Sequence, residues 1–266
     1  MKEIVFKNKK VRYRSEGKGK HVILLHGFAE DGRLWDHQVK ELKQHFHFII
    51  PDIPGSGSSE MLNGKVPLAL YADAVKAIAD AEIKKGPKTF TLIGHSMGGY
   101  ISMAFAEKYP ELLNGLGLFH STSYADDEQK KEIRNKGIDF IKKNGAASFL
   151  KNTVQNLFSE KSKNEKPGLI EKLLNLSKDF SSAALIQYYR AMRDRPDRSS
   201  VLQKFQQPVL FIQGMHDNAV PLNSGLAQSH LPGICFFKVL NDSGHMGMWE
   251  EETEATAYMK HFLMNI

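Results

Sequence analysis

The sequence predicts an α/β protein: a mostly parallel, twisted eight-stranded sheet with helices on both faces, plus an all-helical insertion. Three observations carry this. Short β-rich runs alternate with amphipathic helical spacing over residues 1–120 and again over 201–266. Some of these runs, residues 21–25 (His-Val-Ile-Leu-Leu) above all, are almost continuously apolar, as expected of strands buried on both faces. Between the two blocks, residues 121–200 contain no strand-like run. The expected organisation is a core of residues 1–120 and 201–266, with a helical cap of residues 121–200 inserted after the sixth strand.

Each element has its own signal. Residues 4–6 and 11–14 alternate as an opening hairpin. The strand at 21–25 runs into His26-Gly27-Phe28, and Leu34, Trp35, Val39 and Leu42 follow at helical spacing. Residues 46–50 form the next strand, with a turn-rich loop at 51–59. Tyr71, Val75 and Ile78 mark a helix over 68–83. Strands at 89–93 and 112–119 flank a helix over 100–109. In the insertion, about four short helices are expected. The first starts at Ser123 with Asp126-Asp127-Glu128 and stops at Asn144-Gly145; the others carry stripes at Leu150–Phe158, Leu169–Leu174 and Leu185–Met192. Strands at 208–212 and 234–240 and a final helix with Ala255, Tyr258, Met259 and Phe262 complete the chain.

Composition excludes several classes. The chain has 266 residues, 41% hydrophobic and 25% charged, with a net charge of +6, which is ordinary for a globular protein. Almost all the excess lies in residues 121–200, where sixteen Lys and Arg face eleven Asp and Glu. The basic runs there are pairs interleaved with acids, which marks solvated helix faces and no nucleic-acid stripe. Cys235 is the only cysteine, so no intrachain disulfide forms; its apolar run (residues 234–237) reads as small buried core. The N-terminus lacks an apolar stretch of signal-peptide length, and no run approaches the ~20 apolar residues of a membrane span. A cytoplasmic protein with no membrane partner is expected.

The chemistry centres on Gly94-His95-Ser96-Met97-Gly98-Gly99. A Gly-x-Ser-x-Gly between a strand and a helix is a nucleophile elbow: the turn is so tight that flanking side chains would collide, and the serine is pushed out at the sheet edge. A glycine-rich turn with a bystander serine is the plainer alternative, and the strand–turn–helix context argues against it. Such a serine needs a base and a group to orient that base, in the chain order Ser, Asp, His. His245, in the glycine-bracketed loop after the last strand, is the expected base; His230 and His261 lie in helices. Asp217, just past the preceding strand, is the expected acid, ahead of Asp242 and then Asp126. The backbone N–H groups of Phe28 and Met97 are the expected oxyanion donors. His26 reads as a loop-orienting hydrogen bonder, and His95, His120 and His216 as wall or packing residues. Asp217, His216, Asp242 and His245 match no standard metal-ligand spacing, so neither metal nor cofactor is expected.

These motifs, with Asp52 and the loop it opens, and with Val220-Pro221, resemble the α/β-hydrolase superfamily in its serine-nucleophile, helical-capped branch. The resemblance covers about two thirds of the chain. It implies a serine esterase with a Ser96–His245–Asp217 catalytic triad. A C–C hydrolase or lyase using the same triad, or a non-hydrolytic small-ligand sensor, are the alternatives. Ser96 stands where epoxide hydrolases and haloalkane dehalogenases have Asp, and Tyr100 where menaquinone-pathway lyases carry Arg. The implied partner is a small-molecule substrate, on a monomer or homodimer. The cap's positive charge reads either as a solvated outer face or, through Arg190 or Arg193 turned inward, as a preference for acyl groups bearing a carboxylate.

Overall fold

Two consecutive left-handed residues, Lys7 and Asn8 (φ 47° and 60°), turn β1 (Lys2–Phe6) back onto β2 (Lys9–Gly17) in the computed structural model, which describes residues 1–84 and 86–266. A two-residue turn with both φ positive matches the twist of an antiparallel pair. β3 (Lys20–Leu25) leads through a single 3₁₀ turn (Gly32–Trp35) to α1 (Asp36–Leu42) and β4 (Phe46–Pro51). α2 (Leu68–Glu82), β5 (Phe90–His95), α3 (Met97–Lys108) and β6 (Leu113–Phe119) follow. The helical segment then comprises α4 (Glu128–Thr153), α5 (Glu160–Glu165), α6 (Gly168–Ser177), α7 (Ser182–Arg193) and α8 (Ser199–Lys204). The chain closes with β7 (Val209–Gly214), α9 (Leu222–Leu226), β8 (Cys235–Leu240), α10 (Gly247–Glu250) and α11 (Glu252–Met264).

The sheet order is β1-β2-β4-β3-β5-β6-β7-β8, antiparallel at β1/β2 and β2/β4 and parallel from β4 onward. Alternate residues of one strand feed opposite faces, as the two-residue period requires. Ile23 and Leu25 join one apolar cluster with Tyr71, Ile78, Ile101 and Phe105 of α2 and α3. Val22 and Leu24 join the other with Val39 and Leu42 of α1 and Met259 and Phe262 of α11. β5 and β7 are buried along their whole length, which places their C-terminal ends in the interior of the molecule.

The first helix of the segment starts within the expected stretch from Ser123 to Glu128, with Asp127 as its cap, accepting the Lys130 N–H at 2.7 Å. It stops at Asn144-Gly145 as expected: Gly145 takes φ 82° and ψ 166°, a region open essentially to glycine, so α4 is two helices joined at a kink. The Ala146 N–H freed by the break donates to Ser182 Oγ at 3.0 Å, which ties the second half of α4 to α7. The stretch between the expected second and third helices forms α5, capped by Ser159. Cys235 is a correction: it is exposed, not core. β8 is an edge strand bonded only to β7, and Ile234, just before it, is likewise exposed, at 49%.

The glycines at the end of β5 are sterically required. A Cβ on Gly94 would lie 2.2 Å from the Gly98 carbonyl carbon, and one on Gly98 would lie 2.6 Å from the His26 oxygen. Backbone cannot yield there as a side chain could. Gly98→Ala is therefore expected to cost more than ~3 kcal/mol in denaturant unfolding, the upper range of overpacking. Gly168→Ala has open space within 4 Å and should be stabilising by about 0.4–1 kcal/mol. Equal stabilities for the two variants would remove the steric account of the turn.

Candidate active site

β5 ends at His95, and the chain reverses at Ser96 into α3. Ser96 takes φ 50° and ψ −115°, a conformation that L-residues avoid unless the surroundings enforce it. Four hydrogen bonds enforce it here. The Ser96 N–H donates to Phe119 O (3.0 Å), and Ser96 O accepts from Gly99 N–H (2.9 Å), Tyr100 N–H (3.3 Å) and Ser121 Oγ (2.8 Å). α3 starts at Met97, so its N-terminal N–H groups and positive dipole end face the same sheet edge.

The loop after β3 packs beside this turn. His26 Nε2 accepts the Ile53 N–H at 2.9 Å and Nδ1 donates to Gly27 O at 2.9 Å, the loop-orienting role expected of it. Glu30, which the sequence reading missed, is 2% exposed and takes the Gly27 N–H at 2.6 Å and His95 Nδ1 at 2.9 Å. Burial alone would raise the Glu30 pKa; the charge and hydrogen bond of His95 outweigh it and hold the group below the usual carboxylate range. His95 Nε2 lies 2.9 Å from the carbonyl oxygen of His245. His95 thus spans from the β3 loop to the β8 loop rather than merely lining a wall. Among the described residues, no protein acceptor takes the N–H of Phe28 or of Met97.

The β8 loop brings His245 to Asp217, which follows β7. His245 Nδ1 donates to Asp217 Oδ2 at 2.8 Å. Oδ1 of the same carboxylate accepts the Ala219 and Val220 N–H groups, both at 2.8 Å. Desolvation pulls the His245 pKa down, but the facing Asp217 charge reverses this and raises it above 6.5. Burial works against the charged form of Asp217 too, and the charge of His245 with the two imidazole donors more than compensates, lowering its pKa. Glu250, buried at 2% exposure, accepts the Gly244 and Met246 N–H groups (2.9 and 3.0 Å) and the Ser159 N–H (2.8 Å). The His245 N–H itself donates to Leu157 O at 2.7 Å, so the β8 loop is clamped to the helical segment.

His120 touches the same carboxylate. Its Nδ1 lies 3.1 Å from Asp217 Oδ2, and its Nε2 accepts the Gly247 N–H at 3.2 Å. Complete burial lowers its pKa, the Asp217 contact notwithstanding, so the ring is a neutral donor. Its position one residue past β6, beside β7, was the available signal. His120, Asp217 and His245 present one ligand atom each within 4.8 Å of one another, but both imidazoles already meet at Asp217 Oδ2. The other candidates stand apart. Asp242 pairs with Lys161 at the surface, His216 is exposed, and Asp126 is bound by Arg134 and Arg195. Arg190 is exposed, and Arg193 bonds Asp194 and Asn135. Arg134 and Arg195 turn inward onto Asp126, whereas Arg190 keeps to the solvated face that the sequence equally allowed. From α4 and α7, Phe149, Tyr188 and Tyr189 surround the Phe28 ring, Tyr189 stacked at 4.5 Å.

Residues 20–252 match a family described as the alpha/beta hydrolase fold. The chain is similar to a solved thermophilic esterase from Thermogutta terrifontis, bound to malate, at a TM-score of 0.92 and 26% identity over 99% of this chain and 97% of that one. It shares the fold of an enol-lactonase from Burkholderia xenovorans (TM-score 0.90, 18% identity, 99% and 100% coverage). A pimeloyl-[acyl-carrier protein] methyl ester esterase of Vibrio vulnificus is 27% identical over 106 residues, 40% of this chain and 38% of that protein. The matched stretch spans 33% to 42% of the length of this and other curated relatives, and 87% of a pimeloyl-[acyl-carrier protein] methyl ester esterase of Nitrosomonas europaea, which is 24% identical. No helix is long and apolar enough to cross a membrane among the described residues.

The Glu30 pair has a pH signature. Its folded pKa lies below the 4.5 of a free side chain, so its contribution to stability is complete above pH 4.5 and is lost as pH falls through the folded value. Glu30→Gln should cost about 1–3 kcal/mol at pH 7, and the gap to the parent should close as pH drops below that range. Calorimetric melting at stepped pH checks this; a gap constant down to pH 3 would remove the charge of Glu30 from the account.

Proposed function

Because this chain belongs to the α/β-hydrolase fold family, we propose that it is a serine hydrolase cleaving a carboxylic ester, or a related acyl bond, of a small molecule through an acyl-enzyme. One observation carries the reading: a serine held at positive φ shares a sheet edge with a buried, hydrogen-bonded His–Asp pair. The likeness to an esterase over nearly the whole chain supports an ester as substrate.

Ser96 Oγ attacks the acyl carbon while His245 Nε2 takes its proton. The Nδ1–H bond to Asp217 fixes the tautomer that leaves Nε2 free, and the carboxylate stabilises the imidazolium that forms. The N–H groups of Phe28 and Met97 hold the developing oxyanion, each without another acceptor to give up. His245 then protonates the departing alkoxide, leaving an ester on Ser96. A water deprotonated by His245 attacks that ester, and the acid leaves as Ser96 recovers its proton. Residues 121–200 act as a cap, with Phe149, Tyr188 and Tyr189 walling the acyl side through Phe28.

Ser96→Ala and His245→Ala should each lower kcat on a short p-nitrophenyl ester by about 10⁴-fold or more, to similar residual rates, since the groups act as a unit. Undiminished turnover by Ser96→Ala would sink the assignment. Asp217→Asn should lower kcat by up to roughly 10⁴-fold by holding the wrong tautomer. The pH profile supplies a second check. The Asp217 charge raises His245 above 6.5, so kcat/KM should climb with pH through a midpoint above that value as the imidazolium loses its proton. In Asp217→Asn, only the charges of Glu30 and Glu250 still oppose burial, and the residual activity should show a lower midpoint; an unmoved midpoint would assign the limb to another group.

A further inference from the structure

The inner face of the helical segment carries a buried excess of positive charge. Asp126 has no exposed side-chain surface, yet it serves two guanidinium groups. Arg195 Nη1 reaches Asp126 Oδ1 at 2.6 Å, and Arg134 binds the same carboxylate through Nε and, at 3.3 Å, Nη2. Arg195 also donates to Tyr124 O and Met192 O, and its guanidinium lies on the Tyr100 ring at 3.9 Å. Arg134 bonds the carboxylate alone. Its Nη1 has no protein acceptor among the described residues, and its guanidinium stands 5.5 Å from the Tyr189 ring. The Tyr100 and Tyr189 hydroxyls likewise donate to nothing among the described residues, and none of these three polar ends is sealed off from open space.

These groups border the proposed acyl site. Tyr100 is one turn past Ser96 along α3, and Tyr189 is the ring stacked on Phe28. Gly137 of α4 fixes Tyr189 from behind, since a Cβ there would fall 2.5 Å from its Cε2. One net positive charge with three spare donors is complementary to a singly negative group that accepts hydrogen bonds. We propose that Arg134, Tyr100 and Tyr189 bind a carboxylate at the acyl end of the Ser96 site, so that the substrate is an ester whose acyl chain ends in a second, ionised carboxyl group. This rests on Ser96 being the nucleophile.

The test compares monomethyl glutarate with dimethyl glutarate, which differ in charge and share the acyl skeleton, by pH-stat. The parent protein should favour the monoanion in kcat/KM. Arg134→Gln should cut the monoanion-to-diester ratio by about a hundredfold, the scale of a desolvated charge pair broken on one side. Tyr189→Phe and Tyr100→Phe, which remove one oxygen each, should cut it by about tenfold and keep the proposal testable where Arg134→Gln fails to fold. Calorimetry of glutarate with Ser96→Ala protein separates this inference from the proposed chemistry. Binding that Tyr189→Phe weakens supports the carboxylate site whatever Ser96 does. Ratios unchanged in all three variants, or no glutarate binding, would overturn the carboxylate site, while turnover untouched by Ser96→Ala would instead overturn the nucleophile.

Discussion

The geometry of the site depends on one buried carboxylate that takes no part in the proposed reaction. Glu30 gathers the Gly27 N–H and His95, and His95 passes the constraint to the carbonyl of His245. Three loops, after β3, β5 and β8, are thereby fixed relative to one another by hydrogen bonds of 2.6 to 2.9 Å. Each loop supplies one part of the proposed machinery: oxyanion donor, nucleophile and base. A sheet places strand ends to within a few ångströms; acyl transfer needs finer placement, and charge-assisted bonds in a dry interior provide it.

The neighbouring acids repeat the same solution. Asp217 is surrounded by four donors, two backbone and two imidazole, so its ionised form is cheaper than its protonated one despite burial. Glu250 does for the β8 loop and the Ser159 turn what Glu30 does for the β3 loop. Such groups stabilise little in net terms, because desolvation offsets most of the attraction. Their effect is on uniqueness: removing one partner leaves an unpaired charge, so alternative loop arrangements are penalised strongly.

The fold was legible in the sequence because its signals are local. Continuous apolar strands, helical stripes and the strand-free stretch at 121–200 each follow from burial in a short window, and the eight strands stand where those windows lie. The residues brought together at Asp217 were legible for the same reason, since His245 and Asp217 each follow a strand ending at one edge. What escaped depends on contacts between distant segments. Glu30 sits in an ordinary polar loop, and only the approach of His95, 65 residues away, gives it a role. Arg134 and Arg195 could not be told from Arg190 and Arg193 because helical phase inside the segment is set by where Asp126 lands. Cys235 was misplaced because an apolar run does not announce that its strand is an edge.

The break in α4 has a mechanical consequence. Arg134 and Gly137 lie on the arm before Gly145, and Phe149 lies on the arm after it, which Ser182 bolts to α7. Both arms press on Tyr189, one through Gly137 and one through the Phe149 ring at 5.6 Å. The helix is therefore two levers on a single fulcrum, gripping one aromatic ring between them. A change of backbone angle at residue 145 therefore moves Arg134 and Gly137 against Phe149 without altering a side chain on either arm.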